Sequence, residues 1–407
     1  MKNVSKDTRT FILVAAVVGL GMAGDAMLYC VLPVTPETFR VNVFQVGILL
    51  SVNRFVRLIT NEVSTYFVAR ACSYKPLVYA VIVAALITFG YAVPLGFWWL
   101  LFLRIIWGGC FSVLRIEGYI AALKCSKGES IGKIIGWYEI IKAIAYYTIT
   151  VISGILADVL NPLITAVILG IAVASTLLLI RKPVQMWGTV SVGMPEISRK
   201  RDKIKVSNPL VLMAIGVVVL VVVSSSQMLS SLRGRAIVDT ILPGSGFGIG
   251  AATFAGLFSV LYQLGVFFGP VMGTIGDRYG KRKALIGVGL SMTVVMAVLA
   301  VCHVWFIVLG IFILQIFINV SSEVLRSSFA AENACPGEQT VFLNRYSTFQ
   351  DLGSAMGPFL GFAIYSLTGN FVGLAVIMIP LLLISVYILY IFDRIGVKNG
   401  KNIEKPC

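Results

Sequence analysis

Two arginines and an asparagine are spaced so that they share one face of a helix. Arg54, Arg57 and Asn61 stand at positions i, i+3 and i+7 inside an apolar stretch, and this spacing places them on one side of an α-helix. A guanidinium binds a carboxylate or phosphate through paired hydrogen bonds. Asp25, in the preceding apolar stretch, is expected beside both arginines, which leaves a surplus positive charge for an anionic substrate. Full neutralisation by Asp25 and Glu62 would instead make these residues a structural network.

Further polar residues in apolar stretches extend this candidate site. Arg115, Glu139 and Lys142 are expected to meet, either in the site or as an ion-pair cluster that satisfies itself. The predicted substrate-binding residues are Arg54, Arg57, Asn61, Arg115 and Lys142, with Tyr29, Tyr146 and Gln227 as weaker candidates. Proton coupling needs a carboxylate whose ionised form is disfavoured by burial. The predicted coupling residues are Asp25, Glu139 and Glu62.

The elements that must position these side chains are membrane-spanning helices. The 407 residues are 58% hydrophobic and 13% charged, and the mean hydropathy is +0.93. A spanning helix needs roughly 20 apolar residues, because its backbone groups must be satisfied within the segment. Ionisable groups at that depth are costly, so each is a functional candidate. The twelve predicted spans are 11–33, 45–68, 77–95, 98–122, 131–157, 161–180, 209–231, 249–272, 283–302, 304–327, 345–368 and 371–392.

The distribution of Lys and Arg predicts the orientation of the chain. Most basic residues fall in the two termini and in the loops after the second, fourth, sixth and eighth spans, whereas Arg40, Arg233 and Arg235 are the clear cations of the other side. Basic loops stay cytoplasmic, so both termini are predicted to be cytoplasmic. The net charge of +15 is explained in this way and does not indicate nucleic-acid binding. The predicted domains are a six-helix bundle (1–180), a basic linker (181–208), a second six-helix bundle (209–392) and a tail (393–407).

One loop carries a family resemblance. Between the eighth and ninth spans the chain reads Gly273-Thr-Ile-Gly276-Asp277-Arg278-Tyr-Gly280-Lys281-Arg282-Lys283. Its glycines permit close approach and a tight turn, and its acid is expected to pair with Arg278 or Arg282 or to sit at a helix N-terminus. This stretch resembles the hallmark loop motif of the major facilitator superfamily. With the six-plus-six layout, the resemblance covers essentially the whole chain.

A second element is similar to the conserved-arginine motif of that family. It reads Leu100-x-x-x-Arg104-x-x-Trp107-Gly108, with Trp107 where the family usually has Gln. The loop at 68–75 lacks the acid and the glycines of the hallmark motif, so the latch that the motif forms is expected in the C-terminal half alone. Glu323, Arg326 and Asp351 are expected near that loop as a gating salt-bridge group.

Glycines recur at four-residue spacing in two spans. Gly265, Gly269, Pro270 and Gly273 lie in the eighth span, and Gly353, Gly357, Pro358 and Gly361 lie in the eleventh. This spacing lets helices approach closely, and a proline loosens the helical ladder into a bend. The pattern is therefore interpreted as a packing and hinge element, although drug–proton antiporters of the family carry a related pattern in the fifth span.

The resemblance implies an integral, multi-pass, all-α transporter that works by alternating access between two bundles. The expected substrate is a small anionic or zwitterionic metabolite, for example an exported siderophore or an organic or amino acid, and the proton is the expected coupling ion. A multidrug proton antiporter and a lipid flippase of the same fold are the alternatives within the family, and an ion channel or membrane-embedded enzyme those outside it. We expect a monomer in the inner membrane if the source is bacterial, with no enzymatic activity, cofactor or metal.

Overall fold

The protein is all-α in the part of the chain that the structure describes. The computed structural model describes residues 2–71, 75–125, 131–180, 208–246, 248–334 and 339–392, so the predicted linker, apart from Asn208, and the tail lie outside these residues. The helices are α1 (Lys2–Gly21), α2 (Ala23–Val31), α3 (Val43–Ala71), α4 (Lys75–Gly90), α5 (Phe97–Cys125), α6 (Ile131–Val159), α7 (Pro162–Ile180), α8 (Pro209–Ala236), α9 (Leu242–Ser245), α10 (Ala251–Leu264), α11 (Gly269–Tyr279), α12 (Lys281–Val301), α13 (Trp305–Glu332), α14 (Gln339–Thr368) and α15 (Val372–Tyr390).

These helices form because the apolar runs are long enough to satisfy their own backbone groups in a bilayer. Within the described ranges, nine helical segments are long and apolar enough to cross a membrane, and 75–90 and 251–262 are shorter apolar helices. The predicted all-α integral membrane class is confirmed. The count of twelve spans and the cytoplasmic termini stay predictions.

The described residues divide into two compact units. Unit 1 contains residues up to 180 together with 248–260, and unit 2 contains 208–246 and 261–392. In unit 1, α3 packs along α5, and Gly108 makes this approach possible because a Cβ there would lie 2.8 Å from the side chain of Val56 and 3.0 Å from the carbonyl oxygen of Asn53. In unit 2, α14 packs along α8 and α12 packs along α15.

The glycine pattern of the eighth span marks a break in that helix. A 3₁₀ segment, Gly265–Phe268, separates α10 from α11, and Pro270 stands in the first turn of α11. Because proline lacks a backbone N–H, it is tolerated in the first turn of a helix and disfavoured further inside. The regular α-helix is therefore interrupted at this pattern, and the bend itself stays a prediction.

Polar side chains connect α8 to α13 inside unit 2. Gln315 on α13 donates from Nε2 to the carbonyl oxygen of Ser226 (3.2 Å). The Ser226 hydroxyl bonds the Asn319 amide, and Asn319 Nδ2 lies 3.4 Å from the hydroxyl of Ser230. Gln315, Asn319 and Ser226 are all buried. These bonds satisfy amides that would be costly to leave unpaired among apolar side chains.

The first turn of α10 is capped by a carboxylate from α6. Asp158 accepts hydrogen bonds from the backbone N–H groups of Ala252 (3.2 Å) and Thr253 (2.6 Å), which have no partner inside the helix. Gly250 leaves room for this carboxylate, because a Cβ at that position would overlap it. The cap and its two N–H donors all lie within unit 1.

Replacing Asp158 with Ala is expected to lower the free energy of unfolding by about 1 kcal/mol, the typical cost of losing a helix cap. Thermal unfolding of the purified protein in detergent measures the change. Glu37→Ala is the matched control, since Glu37 is an exposed acid in the short turn Pro36–Phe39 and its side chain makes no hydrogen bond or ion pair among the described residues. Equal loss in both variants would contradict the role of the cap.

Candidate functional site

The polar centre of unit 1 is a buried ion pair between α2 and α5. Arg104 Nη1 lies 2.5 Å from Asp25 Oδ1, with the arginine side chain fully buried and the aspartate side chain 9% exposed. Arg104 also donates from Nε to the carbonyl oxygen of Leu49 (2.8 Å). The sequence predicted Asp25 beside Arg54 and Arg57 and did not pair it with Arg104. Arg104, singled out from the sequence only as a motif residue, is the ion-pair partner that the structure shows for this carboxylate.

Arg54 lies beside this ion pair and contacts aromatic residues. Its Nε donates to the Tyr29 hydroxyl (3.2 Å), which donates in turn to the carbonyl oxygen of Leu50 (3.0 Å). The guanidinium groups of Arg54 and Arg104 lie 5.6 and 5.4 Å from the centre of the Tyr29 ring. Tyr146 is within electrostatic range of Asp25, Tyr29 and Arg54. The structure thus brings together four predicted site residues, Asp25, Tyr29, Arg54 and Tyr146.

Arg57 and Asn61 continue the same face of α3 toward α5. The Arg57 guanidinium stacks on Phe111, 4.7 Å from the ring centre, a cation–π geometry. Asn61 Oδ1 accepts a hydrogen bond from the Ser112 hydroxyl (2.8 Å). Glu62 follows on α3, but its side chain lies outside the part that the structure describes. The predicted helical face is therefore present, with α5 as its neighbour.

A second polar group lies on α5 and α6. Lys142 and Glu139 form an ion pair (2.5 Å) one turn apart on α6, and the Tyr119 hydroxyl donates to Glu139 (3.0 Å). Arg115 is within electrostatic range of Tyr119 and Tyr138 but makes no ion pair among the described side chains. Glu139 and Lys142 thus pair as their i, i+3 spacing predicted, and the place of Arg115 in the site stays a prediction.

One buried acid received no role from the sequence. Glu117 on α5 is only 3% exposed, two residues after the half-buried Arg115. Its position inside an apolar stretch marks it as a functional candidate, since ionisable groups at membrane depth are costly. The sequence did not reveal its burial, which depends on how α5 packs in unit 1.

The hallmark loop joins α11 to α12. Gly273, Gly276, Asp277 and Arg278 are on α11, whereas Gly280 forms the turn with φ +88° and Lys281 and Arg282 begin α12. A positive φ favours glycine because it has no Cβ. Gly276 allows α11 to approach α13, since a Cβ there would clash with the side chain of Leu325.

Asp277 pairs with a residue other than the two predicted. Lys281 Nζ lies 3.6 Å from Asp277 and 3.6 Å from Glu332 at the end of α13. Lys281 is four residues after Asp277, so the two side chains meet across the Gly280 turn. The sequence suggested Arg278, Arg282 or a helix N-terminus for this carboxylate, and it did not single out Lys281. Arg278 instead lies against the Tyr279 ring, 5.6 Å from its centre.

The predicted gating group of unit 2 is not joined by ion pairs. Among the residues that the structure describes, no ion pair links Glu323, Arg326 or Asp351. Glu323 is exposed, Asp351 is half-buried and Arg326 is buried. Gln227, on α8, is half-buried and packs where Gly357 brings α14 close. The gating role of these residues stays a prediction.

A family model matches the C-terminal part of the chain. Residues 228–406 match the model of the Major Facilitator Superfamily, and this range contains the hallmark loop. No curated protein matches the chain in sequence. The match agrees with the family resemblance of the loop, whereas the arginine motif at 100–108 lies outside the matched residues.

Solved transporter structures share the fold of this chain. A bacterial homolog of the human lysosomal transporter Spinster is 11% identical, with a TM-score of 0.70, and the match covers 95% of this chain and 97% of that one. The nucleoside transporter NupG is 13% identical, with a TM-score of 0.74, over 95% of this chain and 99% of that one. At such identities the similarity establishes the fold and leaves the substrate open.

Proposed function

We propose that this protein is a secondary transporter of the major facilitator type for a small anionic or zwitterionic metabolite, driven by the proton gradient through alternating access. The observation that carries the proposal is the cluster around Tyr29, where the guanidinium groups of Arg54 and Arg104 lie 5.6 and 5.4 Å from the ring centre and Arg104 pairs with Asp25. Guanidinium groups at membrane depth are costly. Two of them at one place concentrate positive charge, which suits a substrate that carries negative charge.

Two further features of unit 1 support this substrate class. Arg57 lies on the same helical face as Arg54, stacked on an aromatic ring that fixes its plane. Arg115 and Lys142 add cationic groups on α5 and α6, with Glu139 as the one acid paired to Lys142. A planar guanidinium held in position loses less conformational freedom when it binds a carboxylate. Efflux of apolar or cationic drugs and lipid flipping are less well supported. The cationic groups would repel a cationic drug, and an apolar substrate could not pair with them.

Proton coupling is assigned to the carboxylates that already contact cations. Asp25 pairs with Arg104 and Glu139 pairs with Lys142, and Glu62 remains a candidate from the sequence. A protonated carboxyl loses its ion pair, so proton uptake and release of the cationic partner are linked. The Glu139 side chain is 42% exposed, against 9% for the Asp25 side chain.

Flux measurements in proteoliposomes test the proposal. Glutamate, succinate and citrate are offered with and without an imposed pH step, with the neutral nucleoside uridine as comparator. We expect uptake of at least one carboxylate to rise with the pH step, and Arg54→Gln or Arg57→Gln to reduce that uptake at least tenfold. Arg40→Gln, a loss of one exposed cation, is the matched control and keeps the wild-type rate.

Three results would contradict the proposal. Uptake of uridine with none of the carboxylates would exclude an anionic or zwitterionic substrate. Carboxylate uptake that does not change with the pH step would exclude proton coupling. An unchanged half-saturation concentration in both arginine variants would exclude the assigned binding residues.

A further inference from the structure

Arg326 is a buried guanidinium whose charge has no ion-pair partner among the described residues of unit 2. It is 6% exposed and its Nε donates to the carbonyl oxygen of Ser322 (3.0 Å). Its Nη1 is buried and makes no hydrogen bond among the described residues, and the same is true of the Ser322 hydroxyl one turn earlier. Two buried donors on one side of α13 therefore lack acceptors. Such groups are costly unless something satisfies them.

The groups that face Arg326 do not neutralise it. Tyr346, Glu323 and Tyr262 are within electrostatic range, but the two tyrosines are neutral near pH 7. Glu323 is exposed and forms no ion pair with Arg326 in the described part of the chain. Arg104 in unit 1 is equally buried and shows the contrast, because a carboxylate lies 2.5 Å from it. A buried charge normally has such a partner.

A small cavity adjoins Arg326. Its volume is about 10 Å³, room for one small ion or water, and its other lining consists of apolar side chains of α8, α12, α13 and α15, among them Ile215, Leu285, Phe329 and Leu389. Organic ligands of drug size occupy roughly 300–1,000 Å³. A phosphate or a carboxylate would also require more donors than this lining offers. The space and the donors suit a single monatomic anion.

We propose that Arg326 binds a halide, with chloride as the physiological ligand, in this cavity of unit 2. The guanidinium supplies the charge and Nη1 supplies a hydrogen bond, while the apolar lining excludes larger, more strongly hydrated anions. The anion neutralises Arg326 and holds the inner faces of α8 and α13 around it. This site is separate from the substrate-binding residues proposed on α2, α3 and α5, so it stands whichever substrate is carried.

Thermal unfolding of the purified, detergent-solubilised protein in sodium chloride and in sodium gluconate of equal ionic strength tests the site. A ligand that binds only the folded state raises its stability in proportion to ln(1 + [L]/Kd). We expect a saturable rise in the unfolding midpoint with chloride and with bromide. In Arg326→Gln the midpoint becomes independent of halide and is at least as high in gluconate as that of the wild type. Arg40→Gln, the exposed control, keeps the halide dependence.

Several outcomes would overturn the proposal. They are equal midpoints of the wild type in chloride and gluconate, halide dependence that persists in Arg326→Gln, or a lower midpoint of that variant in gluconate. If Arg326→Gln does not fold, a crystal of the wild-type protein grown in bromide provides the answer. An anomalous peak in contact with Arg326 supports the site, whereas an ordered water or an empty cavity there refutes it.

Discussion

Replacing Asp25 with Asn is expected to lower the free energy of unfolding by about 3–5 kcal/mol, the cost of leaving one member of a buried ion pair without its partner. The reason is that Arg104 is fully buried and Asp25 lies 2.5 Å from it. The backbone oxygen of Leu49 accepts a hydrogen bond but cannot neutralise the charge. Transport would be lost together with stability, so activity alone does not reveal the cause.

A double-mutant cycle separates the pair from its surroundings. Asp25→Asn combined with Arg104→Gln removes both charges, and we expect the double variant to be more stable than Asp25→Asn alone by at least about 2 kcal/mol, since coupled neighbours are not additive. Chemical or thermal unfolding in detergent measures all four proteins. Additive losses would show that the two side chains act independently.

Replacing Gly357 with Val is expected to cost about 3 kcal/mol or more, because overpacking forces the backbone to move. A Cβ at Gly357 would lie 2.6 Å from Cβ of Gln227, 2.8 Å from the carbonyl oxygen of Ser224 and 3.0 Å from the amide nitrogen of Met228. Two of these three atoms are backbone of α8, so a side-chain rotation cannot relieve the clash. The extended contact between α8 and α14 would open.

Gly310→Val is the matched control for this prediction. Gly310 lies on α13, also in an apolar helix, and a Cβ there would meet nothing within 4 Å. Its replacement is expected to change the free energy of unfolding by no more than about 0.5 kcal/mol. Similar unfolding midpoints for the two valine variants would mean that helix propensity, and not close packing, decides the effect.

The class of the protein could be predicted because its signal is strong and local. Each apolar run must satisfy its own backbone hydrogen-bonding groups in a bilayer, so the length and composition of the run suffice to predict a membrane-spanning helix. The glycine patterns were also informative. Gly357 and its neighbours do bring α14 against α8, and the helix does break before Pro270.

The partners of charged residues could not be predicted with the same success. The interval of three residues correctly placed Glu139 beside Lys142, because both are on one helix. Asp25 and Arg104 are 79 residues apart on different helices, and their meeting depends on packing that no short-range pattern encodes. Asp277 is a smaller case, since Lys281 lies 3.6 Å from it across the Gly280 turn, a partner that the sequence did not single out.

The amide and hydroxyl groups between α8 and α13 also affect how the chain assembles. Gln315 and Asn319 find their acceptors and donors on Ser226 and Ser230, which are synthesised almost ninety residues earlier. Until α8 lies beside it, α13 would enter the lipid with the side-chain amides of Gln315 and Asn319 lacking these hydrogen bonds. Insertion of α13 is therefore most favourable after α8 has already been placed, so the order of synthesis matches the order in which these helices can be accommodated by the bilayer.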